Sequence, residues 1–238
     1  MAALDAVNKE LESYSHSVSH ELRTPLRFVN RIAHFLLQEP GALLSNEAIQ
    51  QVNMILQATN EMEKLIENLL VFSQAGRKPI RKRRVNLRRI FQEAVKELEP
   101  AEERRGIEIV IEDLAPCQGD RTLLKEVAMN LLANAVKFTR RRDPARITIG
   151  CTRTETETIH FVQDNGVGFN MSEADSLFVP FRRLHKLVDF EAVGIGLALA
   201  RRVIERHGGR IWAVGEVDKG AAFYFTLGKE ASGRTQRG

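Results

Sequence analysis

The sequence predicts an α + α/β chain in two parts: an antiparallel helical hairpin that pairs with a second copy as a four-helix bundle, then an α/β sandwich. Three observations predict it. Leu4, Val7, Leu11, Tyr14 and Val18 recur at alternating spacings of three and four, the seam of a coiled coil. A second helical run follows a Pro-Gly turn. Beyond a basic stretch, β-branched and aromatic residues then begin to alternate between helical segments.

The first helix continues through Leu22, Leu26, Val29, Ala33 and Leu36 and stops at Glu39-Pro40-Gly41. Ser45 is placed to cap the second, which carries Ile49, Val52, Leu56, Met62, Leu65, Leu69 and Phe72 up to Ala75-Gly76. One hairpin cannot bury both apolar stripes, so a homodimer is expected. Residues 1–76 form this first domain. Residues 77–85 are a basic linker, 86–230 the second domain and 231–238 a tail. In the second domain, Asn86 to Leu98 reads as a helix, Ile107 to Glu112 as a strand, and Asp120 to Phe138 as a helix capped by its aspartate. Arg146 to Cys151, Thr158 to Gln163, Arg210 to Val214 and Ala222 to Leu227 alternate as strands. A helix from Ile195 to His207 ends at Gly208-Gly209.

Composition bounds the class. The 238 residues are 43% hydrophobic and 28% charged, which excludes disorder and fibrous architectures. No apolar run reaches the ~20 residues of a membrane span and no signal peptide opens the chain, so a cytoplasmic location is expected. Two cysteines, Cys117 and Cys151, suit a reducing compartment. The net charge is +4, but eight basic residues and no acid lie between Arg77 and Arg89; subtracting those eight from +4 leaves −4. The stretch lacks interleaved aromatics and reads as a solvated connection, so no nucleic acid is expected.

In the first domain SVSHELRTPL, Ser17 to Leu26, departs from a plain coiled coil. Pro25 removes an N–H and crowds the carbonyl of Glu21, which bends the helix beside His20. His16, His20 and Thr24 share one face. The His-Glu-x-x-His zinc pattern fails because Thr24 stands where the second histidine belongs. A neutral imidazole is a nucleophile near neutral pH, and Glu21 is placed to take its other proton. Read alone, His20 is more simply a histidine of the surface or the seam.

Three elements of the second domain carry chemistry. EVAMNLLANAVKFT, Glu126 to Thr139, sets Asn130 and Asn134 four apart on one face with Lys137 three further on; amide oxygens suit a hard cation and lysine suits phosphate. Buried structural amides are the other reading. DNGVG, Asp164 to Gly168, offers a carboxylate for an amino group such as adenine's, with Gly166 and Gly168 allowing close backbone approach, or is an ordinary turn. GIGLALA, Gly194 to Ala200, opens a helix whose first amides favour a phosphate chain.

SHELRTPL resembles the phosphoacceptor box of sensor histidine kinases. The three later elements resemble the asparagine box and two glycine boxes of the Bergerat-type ATP-binding fold, shared with gyrase, heat-shock chaperones and mismatch-repair ATPases. FVPFRRLH, Phe178 to His185, resembles the phenylalanine box of the kinases, although core packing would also explain Phe178 and Phe181. The stretches FRRLHK and RRVIERHGGRIWA are most similar to phytochrome-like kinases.

The resemblance implies an α/β sandwich of Bergerat type. It implies an ATP- and Mg²⁺-dependent protein histidine kinase of a two-component system that labels His20 and passes the phosphoryl group to an aspartate of a separate response regulator. Glu21 would be the base. Thr24 would place a water for dephosphorylating the regulator. Asn130 would lie near the reacting phosphate and Asn134 would hold Mg²⁺. Lys137, Phe138, Asp164, Gly166, Gly168, Phe178, Phe181, Arg182, Gly194, Gly196 and Leu197 would complete the nucleotide site, with Phe178 to Ala192 as a lid. Ala198 replaces a usual glycine, and Val193 stiffens a usually loose hinge. A non-catalytic dimeric scaffold and a chaperone-like ATPase are the rival readings. The heptads begin almost at Met1, so the input is expected from a sensory domain upstream or from a partner.

Overall fold

The computed structural model of the chain describes residues 22–38, 44–74, 80–102, 106–180, 182 and 194–228. The chain divides into two compact units, Met1–Arg77 and Lys78–Gly238.

In the first unit, α1 spans residues 22–38 and α2 spans Asn46–Gln74. Ser45 caps α2, its Oγ accepting from Ala48 N–H at 3.2 Å. Ala33 of α1 packs with Val52 and Leu56 of α2, and Leu37 closes this small core. Asn30 Nδ2 donates across the hairpin to Asn60 Oδ1 at 3.1 Å. The stripes are too wide for one partner: Phe28 and Phe35 are each 61% exposed, and Ile32, Met54 and Ile55 are also open. The expected front of the first helix, the bend over Glu21 and the turn at Pro40-Gly41 lie outside the described residues.

The second unit is a layered sandwich. Its order is β1 (Arg83–Val85), α3 (Leu87–Glu102), β2 (Glu108–Ile111), β3 (Cys117–Gly119), α4 (Arg121–Phe138), β4 (Arg146–Arg153) and β5 (Thr158–Asp164), then a 3₁₀ helix (Met171–Phe178), α5 (Gly196–Arg206), β6 (Ile211–Glu216) and β7 (Gly220–Thr226). Five strands form a mixed sheet ordered β2-β4-β5-β7-β6, parallel only between β2 and β4. The core lies between this sheet and α3, α4 and α5. Leu87, Ile90, Phe91, Leu131, Leu132 and Ile204 from the helices meet Ile147, Ile149, Val162 and Phe225 from the strands. β5 alternates, burying His160, Val162 and Asp164 while Gln163 stays exposed.

Two short strands were not expected. Arg83–Val85, inside the basic linker, pairs antiparallel with Cys117–Gly119, with Arg84 opposite Gln118. Three-residue strands are too short to show a period. The last four expected strands all form, with ends shifted by one or two residues, and α3 runs through Pro100 to Glu102 rather than stopping at Leu98.

Candidate nucleotide site

α4 is the backbone of the site. Asp120, at φ −86° and ψ 114°, caps it, its Oδ1 accepting from Thr122 N–H at 3.1 Å and Leu123 N–H at 3.3 Å. Leu124, Val127, Ala128, Leu131, Leu132, Ala135 and Val136 bury one stripe of the helix. Asn130, Asn134 and Lys137 therefore fall on its half-buried margin, where a side chain is held but still reachable. Asn130 Nδ2 donates to the Glu126 carbonyl at 2.8 Å. This turns its Oδ1 toward Gly196, where a Cβ would collide with it.

The DNGVG turn leaves β5 directly beside the other end of α4. Asp164 is 5% exposed, and its carboxylate accepts from Gly166 N–H at 2.8 Å. Burial pushes its pKa up to about 6, against the lowering effect of the Gly166 and Ala221 amides. Val167 N–H donates to the Phe138 carbonyl at 3.2 Å, and Lys137 Nζ sits 4.7 Å from the Phe138 ring centroid. The glycines here answer first to the chain itself. A Cβ at Gly166 would lie 2.6 Å from the Phe138 oxygen; one at Gly168, with φ +62°, would collide with the Glu216 carbonyl.

α5 closes the site. Gly194 has φ +72°, and Ile195 stands at the N-cap without a side-chain cap, so the N-cap residue leaves the first-turn amides of α5 to a ligand. Leu197 is half-buried, and Ala198, at the usual glycine position, is buried in the helix-sheet packing. Phe178 is buried at the end of the 3₁₀ helix, and Arg182 is exposed with its N–H donating to the Val179 carbonyl at 3.3 Å. Thr24 is exposed on α1 in the first unit. His20, Glu21, Phe181, Ala192 and Val193 lie outside the described residues.

Asn130, Phe138, Asp164, Gly166 and Gly196 are thus joined through α4. Their donor set fits a nucleotide: a buried acceptor, an amide oxygen and an uncapped helix start. Among the described residues no three His, Cys, Asp or Glu side chains cluster as metal ligands. A divalent cation would therefore lean on an amide oxygen such as that of Asn134, together with phosphate oxygens and water, which suits Mg²⁺.

Two holding residues were missed by sequence reasoning. Arg142 Nη2 donates to the Gly166 carbonyl at 3.0 Å and the Asp218 carbonyl at 2.7 Å, tying the glycine turn to the β6–β7 turn. Asn165 accepts from Arg146 N–H at 2.8 Å and donates to the Pro144 carbonyl at 2.9 Å. Arg142 stands in no spacing pattern that would single it out, whereas Asn165 lies inside DNGVG, whose reading rests on Asp164 and the glycines.

Comparison with known families agrees with this geometry. Residues 11–78 match the His Kinase A (phospho-acceptor) domain, and residues 119–231 match the histidine kinase-, DNA gyrase B-, and HSP90-like ATPase family. The cyanobacterial phytochrome B of Nostoc sp. is 33% identical over 229 residues, 94% of this chain and 30% of that relative's length. The chain thus spans under a third of it. Among solved structures, full-length ShkA in complex with AMPPNP superposes with a TM-score of 0.69 at 23% identity, over 90% of this chain and 45% of that one. The histidine kinase ThkA in complex with the response regulator protein TrrA gives a TM-score of 0.64 at 21% identity, over 92% and 63%. With a phosphoacceptor domain followed by a matching ATPase domain on one chain, the protein belongs to the sensor histidine kinases, of which it carries the transmitter region.

Proposed function

We propose that the chain is an ATP-dependent protein histidine kinase that phosphorylates itself on His20 and then labels an aspartate of a separate response regulator. The observation that carries this reading is the meeting of three distant motifs on α4: Asn130 against Gly196, and Phe138 against Gly166 beside the buried Asp164. Phosphoryl transfer asks mainly for positioning and charge neutralisation. Asp164 accepts from the adenine amino group, and the first-turn amides of α5 and Lys137 hold the phosphates. Asn134 supplies the protein oxygen to Mg²⁺ beside Asn130, and Phe181 and Arg182 belong to the lid. A neutral ring nitrogen of His20 attacks the γ-phosphorus, the bond to the bridging β–γ oxygen breaks, and ADP leaves. Glu21 takes the proton of the other ring nitrogen.

The open apolar side chains of α1 and α2 support a homodimer. Among the described residues no helix is long and apolar enough to cross a membrane.

Incubating the chain with γ-labelled ATP and Mg²⁺ tests the reading. The expected product is an acid-labile, base-stable label that disappears with EDTA and in His20→Gln, which still binds nucleotide. Nucleotide binding without any label would favour the scaffold. A His20→Gln protein hydrolysing ATP as fast as the parent would favour the chaperone-like ATPase.

A further inference from the structure

α4 and α5 are pinned together at two places. One is the nucleotide end, where Gly196 lies against Asn130. The other lies at the opposite end of both helices, about 15 Å away by a rise of ~1.5 Å per residue from Asn130 back to Asp120 and from Gly196 on to His207. There His207, the C-cap of α5, is fully buried. Its Nε2 accepts the Asp120 backbone N–H at 3.0 Å, and its Nδ1 pairs with the Val203 carbonyl at 2.8 Å. A carbonyl only accepts and a backbone N–H only donates. Both bonds therefore coexist only in a neutral imidazole with its proton on Nδ1. Gly119 lies against both Leu124 and the ring: a Cβ there would meet Leu124 Cδ1 at 2.5 Å and come within 3.3 Å of His207 Cδ2 and Nε2.

The segment entering this unit fastens onto the same place. Arg81 N–H donates to Asp120 Oδ2 at 3.2 Å, while Oδ1 of that carboxylate caps α4. Lys82 Nζ donates to the His207 carbonyl at 2.9 Å, which lies past the last hydrogen bond of α5 and also accepts from Gly228 N–H at 3.3 Å. Two successive residues thus hold the first turn of one nucleotide helix and the last turn of the other. The charged groups facing His207 are Asp120, Lys82 and Arg206; burial holds the imidazole below its ordinary pKa, and Lys82 and Arg206 act in the same direction.

We propose that His207 is a positioning residue for nucleotide binding, setting where α5 lies along α4, and that Lys82 and Arg81 couple this register to the segment leading into the ATPase unit. The inference rests on the reading of α4 and α5 as the nucleotide helices. A helix of three turns moves as a rod, so a slide at His207 reappears at Gly196, where it shifts the backbone away from Asn130. Coupling of this kind is reciprocal: nucleotide should tighten the clasp as the clasp tightens nucleotide.

The test uses the full chain with AMPPNP and Mg²⁺ as the probe. Affinity is measured for the parent, His207→Ala, His207→Gln, Lys82→Met and Lys82→Arg, alongside each protein's Tm. The expected result is about tenfold weaker binding for His207→Ala and about threefold for Lys82→Met. His207→Gln keeps an acceptor for the Asp120 amide and Lys82→Arg keeps the donor, so both should stay within about twofold of the parent. Amide exchange gives a second readout: the Asp120 N–H should exchange more slowly once the parent binds AMPPNP, and less so in Lys82→Met. Should His207→Ala fail to fold, Lys82→Met decides alone. A purely structural clasp would lower Tm and leave every affinity at the parent's value, which overturns the proposal while the kinase reading survives. A parent chain that binds no AMPPNP overturns both.

Discussion

Replacing Asp164 by Asn should make the nucleotide-free protein more stable while weakening its grip on nucleotide. Burial pushes this carboxyl from 3.8 up to about 6. Between those values the folded chain keeps a proton that the unfolded chain has already lost, so stability falls as pH rises through the window. Above about 6 the full cost of a buried carboxylate is present, about 3 kcal/mol for a shift near two units. An amide avoids that cost but turns a donor where the carboxylate had an acceptor, losing about 1 kcal/mol. The variant should therefore gain about 2 kcal/mol at pH 7.5 and lose its advantage near pH 4.

The pH dependence sharpens this test, because β5 carries a second group of opposite sign. His160 is 2% exposed, its Nδ1 has no hydrogen-bond partner among the described residues, and burial pushes its pKa from 6.5 down to about 4. Between about 4 and 6.5 the unfolded chain takes the proton first, so stability rises with pH by about 3 kcal/mol. In the parent the two slopes nearly cancel; the lowered pKa of His207 adds to the rise. Asp164→Asn removes only the falling limb, leaving a steep loss of stability on acidification. Urea unfolding at pH 4, 5.5 and 7.5, followed by fluorescence, measures this directly. Trp212 is the single tryptophan and lies on β6, so the signal reports the ATPase unit. Nucleotide affinity at pH 7.5 should drop at least about tenfold, since the site loses its charged acceptor for an amino group. A variant no more stable than the parent at pH 7.5, or one that binds nucleotide equally well, would refute this account of Asp164.

Two glycine substitutions should reverse in order between stability and binding. Gly168→Ala forces a β-carbon at φ +62° into the Glu216 carbonyl, a backbone obstacle, and should cost about 3 kcal/mol or more. Gly196→Ala meets a side chain rather than backbone, Asn130 Oδ1 most closely and Cγ at 3.2 Å, so it should cost about 1 kcal/mol yet weaken nucleotide binding about tenfold, checked by unfolding and titration side by side. Thr24→Ala, on an exposed position of α1, should leave His20 labelling intact while slowing dephosphorylation of the labelled regulator at least about tenfold; unchanged dephosphorylation would remove Thr24 from that role.

Much of the fold was legible because its long elements carry their own periods. The hairpin follows from spacings of three and four, Ser45 and Asp120 cap where local chemistry places them, and alternation marks all five main-sheet strands to within two residues at their ends. β1 and β3 were not legible, since Arg-Arg-Val and Cys-Gln-Gly acquire strand geometry only by finding each other, as Arg84 does with Gln118 across 34 residues. The 3₁₀ helix before Phe178, capped by Asn170 accepting from Ser172 N–H at 3.0 Å, likewise has no apolar period.

Local pattern by itself determined which residues could do chemistry, because side-chain type and helical spacing put Asn130, Asn134 and Lys137 on one margin and set Asp164 at a strand end. Only the tertiary structure decided why the glycines are glycines. Gly166 and Gly168 admit the chain's own carbonyls from Phe138 and Glu216, and Gly196 admits the amide of Asn130. The same holds for Arg142 and His207, which join elements 76 and 87 residues apart at Asp218 and Asp120. A contact of that separation leaves no periodic trace, since it exists only once the sheet and its helices have closed around one core.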